Sequence, residues 1–236
     1  MTKIINIGKS IIDIIIGTFI ELIATAIRFF PGPIGNIVRY QFYKRRLKSI
    51  GKGVIIDVGV YILVNPKYIS IGDNTWIDKN VILTAGKPTK GERLFIEKKN
   101  RSYTGKRGEL KIGKGCHIAK YAMIQAHGGV EIADYCGLAD GAKIYSMSDH
   151  YRNLNDPQDS TVYKYSPMAP AKEQCLIIGP VVMEKNTGLA VNSVILSGVT
   201  IGENSWVGVN SLVIKDIPPD SIAIGIPAKV IKKRFE

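Results

Sequence analysis

Residues 183–218 divide into six consecutive hexapeptides: Met183-Glu-Lys-Asn-Thr-Gly188, Leu189-Ala-Val-Asn-Ser-Val194, Ile195-Leu-Ser-Gly-Val-Thr200, Ile201-Gly-Glu-Asn-Ser-Trp206, Val207-Gly-Val-Asn-Ser-Leu212 and Val213-Ile-Lys-Asp-Ile-Pro218. Each begins with an aliphatic residue or methionine, and most have a small or β-branched residue at the fifth position. A period of six fits neither an amphipathic helix nor an alternating strand. It is typical of a parallel β-helix, in which every sixth side chain joins the same interior stack. The Asn and Gly residues that recur at the fourth position tolerate the left-handed backbone of a corner.

The same period extends upstream and is interrupted twice. It begins loosely near Ser49, is clear from Ile69 to Ile82, and resumes at Leu110. The interruptions are two loops, residues 84–109 and 150–176, and loops of this length inside a compact domain are often functional. The sequence therefore predicts an all-β domain over residues 49–236, a parallel β-helix with two long loop excursions.

Residues 1–48 have a different composition and form a predicted helical segment. The run from Ile4 to Ile27 is long enough to cross a bilayer. Its polar residues recur every three or four positions, however, and this places them on one stripe of a helix: Asn6, Ser10, Asp13, Gly17, Glu21, Thr25 and Arg28. Carboxylates on that stripe favour a helix lying in the membrane interface over one that spans it. The alternative is a helix docked on the β-helix or in an oligomer interface.

Charge supports an anionic partner. The net charge of the 236-residue chain is +12, and no acidic residue lies between Leu22 and Ile56, whereas basic residues are frequent there. Such a cluster beside an apolar helix is attracted to anionic lipid. We therefore expect a cytoplasmic protein that binds peripherally to the cytoplasmic face of the inner membrane. No basic patch interleaved with aromatic residues is evident, so we expect no nucleic-acid partner. The three cysteines show no C-x-x-C spacing, and we expect buried reduced thiols.

Three elements make residues 30–236 resemble the hexapeptide-repeat acyltransferases, and most closely the sugar O-acetyltransferases of bacterial surface-polysaccharide synthesis. They are the run Ile201–Pro219, the terminal Gly225-Ile-Pro-Ala-Lys-Val-Ile-Lys232, and Ser146-Met-Ser-Asp-His150 where the repeat breaks. The resemblance implies a left-handed β-helix, a homotrimer, and acetyl-coenzyme A bound in a groove between neighbouring subunits. It also implies that His150 is the catalytic base.

The chemistry fits this interpretation. A sugar hydroxyl is barely ionised at neutral pH, so acetyl transfer needs a base, and neutral imidazole is suited to that task. Asp149 and Asp156 are candidates to orient the His150 ring or to hold sugar hydroxyls. Some relatives place an asparagine one coil earlier, and here Gln125 or His127 is the candidate for its role in binding the acceptor or the oxyanion. Transfer is expected to be direct, in a ternary complex, without a covalent enzyme intermediate.

The donor site implied by the resemblance lies on the regular coils. The family's coenzyme A positions, which act largely through backbone contacts, correspond to Ala190, Val191, Gly208, Val209 and Ile214, with Lys229 and Lys232 near the nucleotide phosphates. Ala190 stands where the family usually has glycine. The usual Trp-Ile-Gly of the preceding coil is replaced by Gly188-Leu-Ala190, which removes an indole from the donor groove.

The predicted function is thus acetyl-coenzyme A-dependent O-acetylation of a saccharide, either lipid-linked or nucleotide-linked, such as a polysaccharide, lipopolysaccharide or capsule precursor. One alternative is N-acetylation of an amino sugar, and another is a non-catalytic hexapeptide-repeat scaffold. A zinc enzyme of the γ-carbonic anhydrase type shares this fold but needs three histidine ligands. The spacing of His117, His127 and His150 does not match that type, and we expect no metal.

Overall fold

The computed structural model of the chain describes residues 11–89 and 91–235, with side chains described from residue 14 onward. Its helices are α1 (Ile11–Phe29) and α2 (Gly32–Lys44), and short 3₁₀ helices lie at Pro66–Tyr68 and Ala171–Glu173. The strands are β1 (Ser49–Ile50), β2 (Ile55–Ile56), β3 (Tyr61–Val64), β4 (Ile69–Ile71), β5 (Trp76–Ile77), β6 (Ile82–Ala85), β7 (Leu94–Glu97), β8 (Leu110–Ile112), β9 (His117–Ile118), β10 (Met123–Gln125), β11 (Val130–Ile132), β12 (Gly137–Leu138), β13 (Lys143–Tyr145), β14 (Met147–Asp149), β15 (Cys175–Ile178), β16 (Val181–Met183), β17 (Gly188–Leu189), β18 (Val194–Ile195), β19 (Thr200–Ile201), β20 (Trp206–Val207), β21 (Leu212–Val213), β22 (Ser221–Gly225) and β23 (Ala228–Lys233).

Three parallel sheets form the body of the molecule, and each coil of the chain adds one short strand to each sheet. The strand orders are β1-β4-β8-β11-β16-β19, β2-β5-β9-β12-β17-β20-β22 and β3-β6-β10-β13-β18-β21. Strand β23 then folds back antiparallel on β22. This architecture confirms the predicted left-handed parallel β-helix.

The interior is the aliphatic stack that the hexapeptides predict. In one column, Ile56 pairs with Ile77, Ile77 with Ile118, and Ile118 with Leu138. All four side chains are at most 1% exposed. Each coil places its aliphatic residues on those of the coil below, so the core is a continuous column that needs no large aromatic residues. The three cysteines are buried and free.

The corners explain the other repeat positions. Asn186, Asn192, Asn204 and Asn210 have φ between 54° and 59°, the left-handed conformation expected there. Their amides also bond along the stack, since Asn186 donates to Asn204 Oδ1 at 2.8 Å. The small fifth-position side chains that follow them are buried. The period of six therefore encodes both the strands and the turns between them.

The helical hairpin of α1 and α2 sits against the first coil. Residues 1–10, including the first part of the predicted apolar helix, lie outside the described residues. Within α1 the apolar side chains from Ile14 to Ile23 are exposed, and of its described side chains Ala24 alone is buried. In α2, Ile34 and Ile37 are more than 60% exposed. Among the described helices, none combines the length and apolarity needed to cross a membrane.

Arg39 joins this hairpin to the β-helix. Its side chain is fully buried, and Nε donates to the Ile56 carbonyl of β2 at 2.8 Å. One terminal nitrogen donates to the Phe30 carbonyl at 2.6 Å and reaches the carbonyls of Ile27 and Arg28 at 3.3 and 3.4 Å. Burial lowers the pKa of Arg39. The guanidinium thus satisfies the Phe30 carbonyl, which the end of α1 would otherwise leave unpaired, and ties that end to β2.

Both excursions leave the β-helix at the same corner, after β6 and after β13. We call residues 86–109 the first excursion and residues 146–180 the second excursion. They are not simply loops, because β7 pairs parallel with β15, and β14 pairs antiparallel with β15. The period of six does not encode this three-stranded sheet. Strand β6 extends into the predicted first loop, which begins at residue 84, and the short apolar run from Leu94 to Ile96 within that loop forms most of β7.

Candidate active site

A cavity of about 420 Å³ lies where the two excursions meet the third sheet. It is lined by Val64, Lys87, Pro88, Thr89, Arg93, Gln125, His127, Met147, Ser148, Asp149, Pro167, Gln174 and Leu176. Three residues selected from the sequence, Gln125, His127 and Asp149, therefore come together in one cavity. Strand β10 ends at Gln125, the following corner holds His127, and β14 carries Asp149.

His127 is held in one orientation by a backbone contact. Its Nδ1 lies 2.8 Å from the carbonyl oxygen of Gly86, at the start of the first excursion. A carbonyl only accepts, so Nδ1 carries the proton and donates it. In the neutral ring Nε2 then keeps its lone pair. The half-buried ring thus has the tautomer that a general base requires.

A backbone hydrogen bond also fixes the orientation of the Gln125 side chain. Its side-chain Oε1 accepts a hydrogen bond from the backbone N–H of Met147 at 3.0 Å. With the oxygen occupied, the amide nitrogen of Gln125 is the end that remains to donate, and Gln125 lines the cavity. The side chain is therefore placed as a hydrogen-bond donor, as an oxyanion site requires.

The corner below these residues is tightly built. Ser146 Oγ donates to the Gln125 carbonyl at 2.7 Å and accepts from the Gly128 N–H at 2.8 Å. A Cβ on Gly128 would collide with the carbonyl oxygens of Ser146 and Gly179. Glycine at this position therefore lets the two excursions approach the corner that presents His127.

His150 lies outside the lining of this cavity. Its Nδ1 is 2.7 Å from the carbonyl oxygen of Arg152, and its ring stacks on Tyr151 with centroids 4.6 Å apart. Successive strand residues point to opposite faces, so Asp149 and His150 diverge at the end of β14. Asp156 is also apart from the cavity, because Oδ1 caps a local turn by accepting from the Gln158 N–H at 3.1 Å. The structure thus brings Asp149 to His127 and Gln125, and leaves His150 and Asp156 elsewhere.

Two cationic side chains, which the sequence analysis did not single out, line the same cavity. Arg93 precedes β7, and Lys87 follows Gly86. Little in the sequence distinguishes these two residues, because the first excursion contains many other lysines and arginines. In the parts of the chain that the structure describes, no group of three or more His, Cys, Asp or Glu side chains gathers as a metal site.

The residues expected to bind the donor lie on later coils and do not line this cavity. Val191 and Val209 occupy equivalent corners of successive coils and are 41% and 60% exposed. Ile214 is 39% exposed just after β21, and Lys229 and Lys232 are exposed on β23. Val191, Val209 and Ile214 are thus exposed apolar positions on the last coils, with Ile214 at a different corner, and the two lysines are exposed cations on the final hairpin.

The remaining donor positions, Ala190 and Gly208, belong to the backbone of the stacked coils. Ala190 and Gly208 are buried, and each backbone N–H donates to the next coil at 2.9 Å. Gly188 lies under the Trp206 indole, and a Cβ there would collide with that ring. An indole from the following coil therefore covers the position where the sequence lacks tryptophan.

Comparison with known proteins supports an acyltransferase. No family model matches the chain. It is 28% identical over 196 residues to the dTDP-4-amino-4,6-dideoxy-D-glucose acyltransferase of Escherichia coli, covering 82% of this chain and 86% of that one. Further curated relatives, putative acetyltransferases, match over 54–55 residues, and the chain spans about a quarter of their length.

The similar solved structures are also acyltransferases. A mutant of AntD, an N-acyltransferase from Bacillus cereus in complex with dTDP-4-amino-4,6-dideoxyglucose and coenzyme A, is 27% identical. It matches with a TM-score of 0.63 over 83% of this chain and 89% of that one. A hexapeptide-repeat containing acetyltransferase from Vibrio cholerae is 18% identical, with a TM-score of 0.54 over 96% and 94% of the two chains, and supports the fold alone.

Proposed function

Since the chain is an acyltransferase that resembles the hexapeptide-repeat enzymes, we propose that it transfers an acetyl group from acetyl-coenzyme A to the amino group of a nucleotide-linked amino sugar. The supporting observation is the E. coli relative, which covers most of both chains and is named for such an acceptor. The sequence alone favoured O-acetylation of a saccharide, whereas this relative favours the alternative, N-acetylation of an amino sugar.

The cavity provides groups for each step of the transfer. The amine nitrogen attacks the thioester carbonyl while His127 Nε2 accepts its proton. The amide nitrogen of Gln125 donates to the oxyanion of the tetrahedral intermediate. The intermediate then collapses, the carbon–sulfur bond breaks, and coenzyme A leaves as a thiolate that takes up the proton. Asp149 supplies a negative charge that attracts the ammonium form of the acceptor, which loses one proton to solvent before the neutral amine attacks.

His127 and His150 are competing candidates for the base. The cavity and the Gly86 contact favour His127, whereas the sequence resemblance favoured His150. Asparagine in place of His127 keeps an N–H donor near the Gly86 carbonyl but removes the basic nitrogen. We expect His127→Asn to lower kcat by about a hundredfold or more, the range for general base catalysis. We expect the matched control His150→Asn to stay within a few-fold of wild type. The reverse result would assign the base to His150.

The acceptor atom is tested by comparing two nucleotide-linked sugars that differ only in carrying an amino group or a hydroxyl group at the acceptor position. We expect acetylation of the amino sugar alone. Acetylation of the hydroxyl sugar alone would restore the O-acetylation hypothesis. Lack of turnover with both, and with saccharide extracts, would favour a scaffold. A role of the product as a surface-polysaccharide precursor stays a prediction.

For the donor, we propose that acetyl-coenzyme A binds along Val191, Val209 and Ile214 in a groove completed by a neighbouring copy of a homotrimer. The exposed apolar residues support this, since a groove on one chain alone would leave them in water. Lys229 and Lys232 then lie near its phosphates. Sedimentation equilibrium tests the trimer, and Lys229→Gln/Lys232→Gln tests the phosphate contact. We expect a trimeric mass and a raised KM for acetyl-coenzyme A with kcat retained.

We also propose peripheral contact of the helical hairpin with anionic membrane at the cytoplasmic face. The exposed apolar residues of α1 and α2, together with the exposed basic segment from Lys44 to Lys52, support it. Vesicles containing phosphatidylglycerol should co-sediment the full chain, and neutral vesicles should bind it less. If a variant lacking residues 1–30 co-sediments with these vesicles as strongly as the full chain, the result would instead favour packing of α1 within the assembly.

A further inference from the structure

Arg93 offers an unneutralised positive charge to the cavity. Its Nε donates to Gln174 Oε1 at 2.7 Å, and one terminal nitrogen reaches the Thr89 carbonyl at 3.3 Å. Both acceptors are neutral, and no ion pair joins Arg93 to a carboxylate among the residues that the structure describes. A guanidinium has five N–H donors in a planar fork. Donors therefore remain for a ligand, and the charge remains uncompensated.

Gln174 holds this guanidinium in place. Its side chain is only 3% exposed, and its amide nitrogen donates to the Ala169 carbonyl, and to that of Pro167 at 3.4 Å. With the nitrogen bound there, Oε1 points to Arg93. The buried glutamine orients the arginine through a short hydrogen bond to a neutral oxygen, and so leaves the positive charge of the arginine for a partner. An oriented arginine with free N–H donors suits phosphate recognition.

The three-stranded sheet of the excursions separates opposite charges. Asp149 ends β14, which pairs with β15, and Arg93 directly precedes β7 on the other side of β15. Neighbouring strands lie about 4.8 Å apart, so the two backbones are roughly 10 Å apart across the sheet. A nucleotide-linked 4-amino sugar carries its amine and its diphosphate on opposite sides of the sugar ring, so its positive amine would face Asp149 when its diphosphate faces Arg93.

We propose that Arg93, positioned by Gln174, binds the phosphate of the acceptor and makes the enzyme select a nucleotide-linked amino sugar over a phosphate-free one. This inference rests on the proposed function and adds the group that the site recognises. Lys87, exposed on the same cavity, adds positive charge on that side.

The test uses two acceptors, dTDP-4-amino-4,6-dideoxyglucose and the methyl glycoside of the same amino sugar. We expect Arg93→Gln to raise KM for the nucleotide-linked acceptor about ten- to hundredfold, the effect of one charged hydrogen-bond donor. The values of kcat, KM for acetyl-coenzyme A and kcat/KM for the glycoside should stay unchanged. Arg101→Gln, which removes an exposed arginine from the same excursion outside this cavity, should match wild type.

Two further variants separate phosphate binding from structure. Arg93→Lys keeps the charge without the fork and should recover part of the KM. Gln174→Glu keeps an acceptor for Arg93 but neutralises its charge, and it gives up the donor to the Ala169 carbonyl. Provided that this variant is folded, KM for the nucleotide-linked acceptor should rise while the glycoside is unaffected. Circular dichroism and thermal melting verify that each variant is folded.

An unchanged KM in Arg93→Gln, or an equal loss with both acceptors, would overturn the inference. A rise in KM for acetyl-coenzyme A instead would assign Arg93 to the donor's phosphates and also overturn it. If wild type acylates neither acceptor, the proposed function fails. Calorimetry of dTDP binding to wild type and to Arg93→Gln then tests the phosphate site by itself. Binding that is lost in Arg93→Gln upholds the phosphate site, whereas equal or undetectable binding refutes it.

Discussion

Replacing Arg39 with methionine should loosen the helical hairpin from the β-helix. Methionine retains an apolar stem of similar reach but no donors. The change removes the short hydrogen bonds to the Phe30 and Ile56 carbonyls, at 2.6 and 2.8 Å. Hydrogen bonds from a charged group contribute about 1.5–3 kcal/mol each, so the gross loss is roughly 3–6 kcal/mol.

The desolvation cost of the buried Arg39 charge offsets part of this loss in stability. Arg39 is a buried cation without a carboxylate among its hydrogen-bond partners, and burial lowers its pKa, so removing the charge also removes its desolvation cost. We expect a net loss of about 3 kcal/mol, less than the gross hydrogen-bond energy. For a chain of this size that corresponds to a fall in Tm of roughly 6–12 °C.

Thermal melting followed by circular dichroism measures this change, and limited proteolysis at the Pro31–Gly32 turn shows whether the hairpin detaches. Arg45→Met at the exposed end of α2 is the matched control, and we expect its stability to stay within about 0.5 kcal/mol of wild type. A Tm for Arg39→Met within about 2 °C of wild type, with unchanged proteolysis, would refute the reasoning.

Three other perturbations test separate parts of the molecule. Gln125→Glu keeps the acceptor oxygen but removes the amide donors, so kcat in the acetyl-transfer assay should fall about 10²–10³-fold with the fold intact; a threefold change or less would remove the oxyanion role. Gly35→Ala places a Cβ against the Phe30 carbonyl, and we expect denaturant titration to show a loss of about 1–3 kcal/mol; an unchanged midpoint would mean that the helices separate freely. The hydrogen bond from Lys48 lowers the pKa of Glu109, so this contribution is present above the ordinary glutamate pKa near 4.3 and is lost as pH falls through the lower folded value. Since Lys48 is half exposed, Glu109→Gln should cost less than about 1 kcal/mol at pH 7, and the difference should vanish in acid; a gap that widens in acid would contradict the assignment.

The β-helix was predictable because the features that specify it lie within one hexapeptide. These features are the buried aliphatic first residue, the small fifth residue and the fourth-position asparagine with positive φ, such as Asn204, and they recur in successive coils. The two excursions were located to within a few residues for the same reason, since they are where the period stops.

Their internal structure was not predictable in this way. Strand β7 pairs with β15, and the chain between them contains two β-helix coils, so no local pattern links Leu94 to Cys175. The Arg93–Gln174 contact depends on that pairing and left no pattern of its own in the sequence.

The roles of the candidate site residues stay a prediction. Gln125, His127 and Asp149, which the sequence singled out, line one cavity, whereas His150, which it ranked first as the base, lies outside that lining. Alternation at the end of β14 separates Asp149 from His150, and the Gly86 carbonyl that orients His127 comes from an excursion whose path the period does not encode. The proposed acceptor class rests on the relative that matches most of both chains and not on any sequence motif.

The most direct test of the proposed reaction is an NMR spectrum of the purified protein with carbonyl-¹³C acetyl-coenzyme A and dTDP-4-amino-4,6-dideoxyglucose. We expect the labelled carbonyl to leave coenzyme A and to correlate with a new amide proton on the sugar nitrogen. A correlation with a sugar ring proton of an ester instead, or label that stays on coenzyme A, would contradict acyl transfer to the amino group.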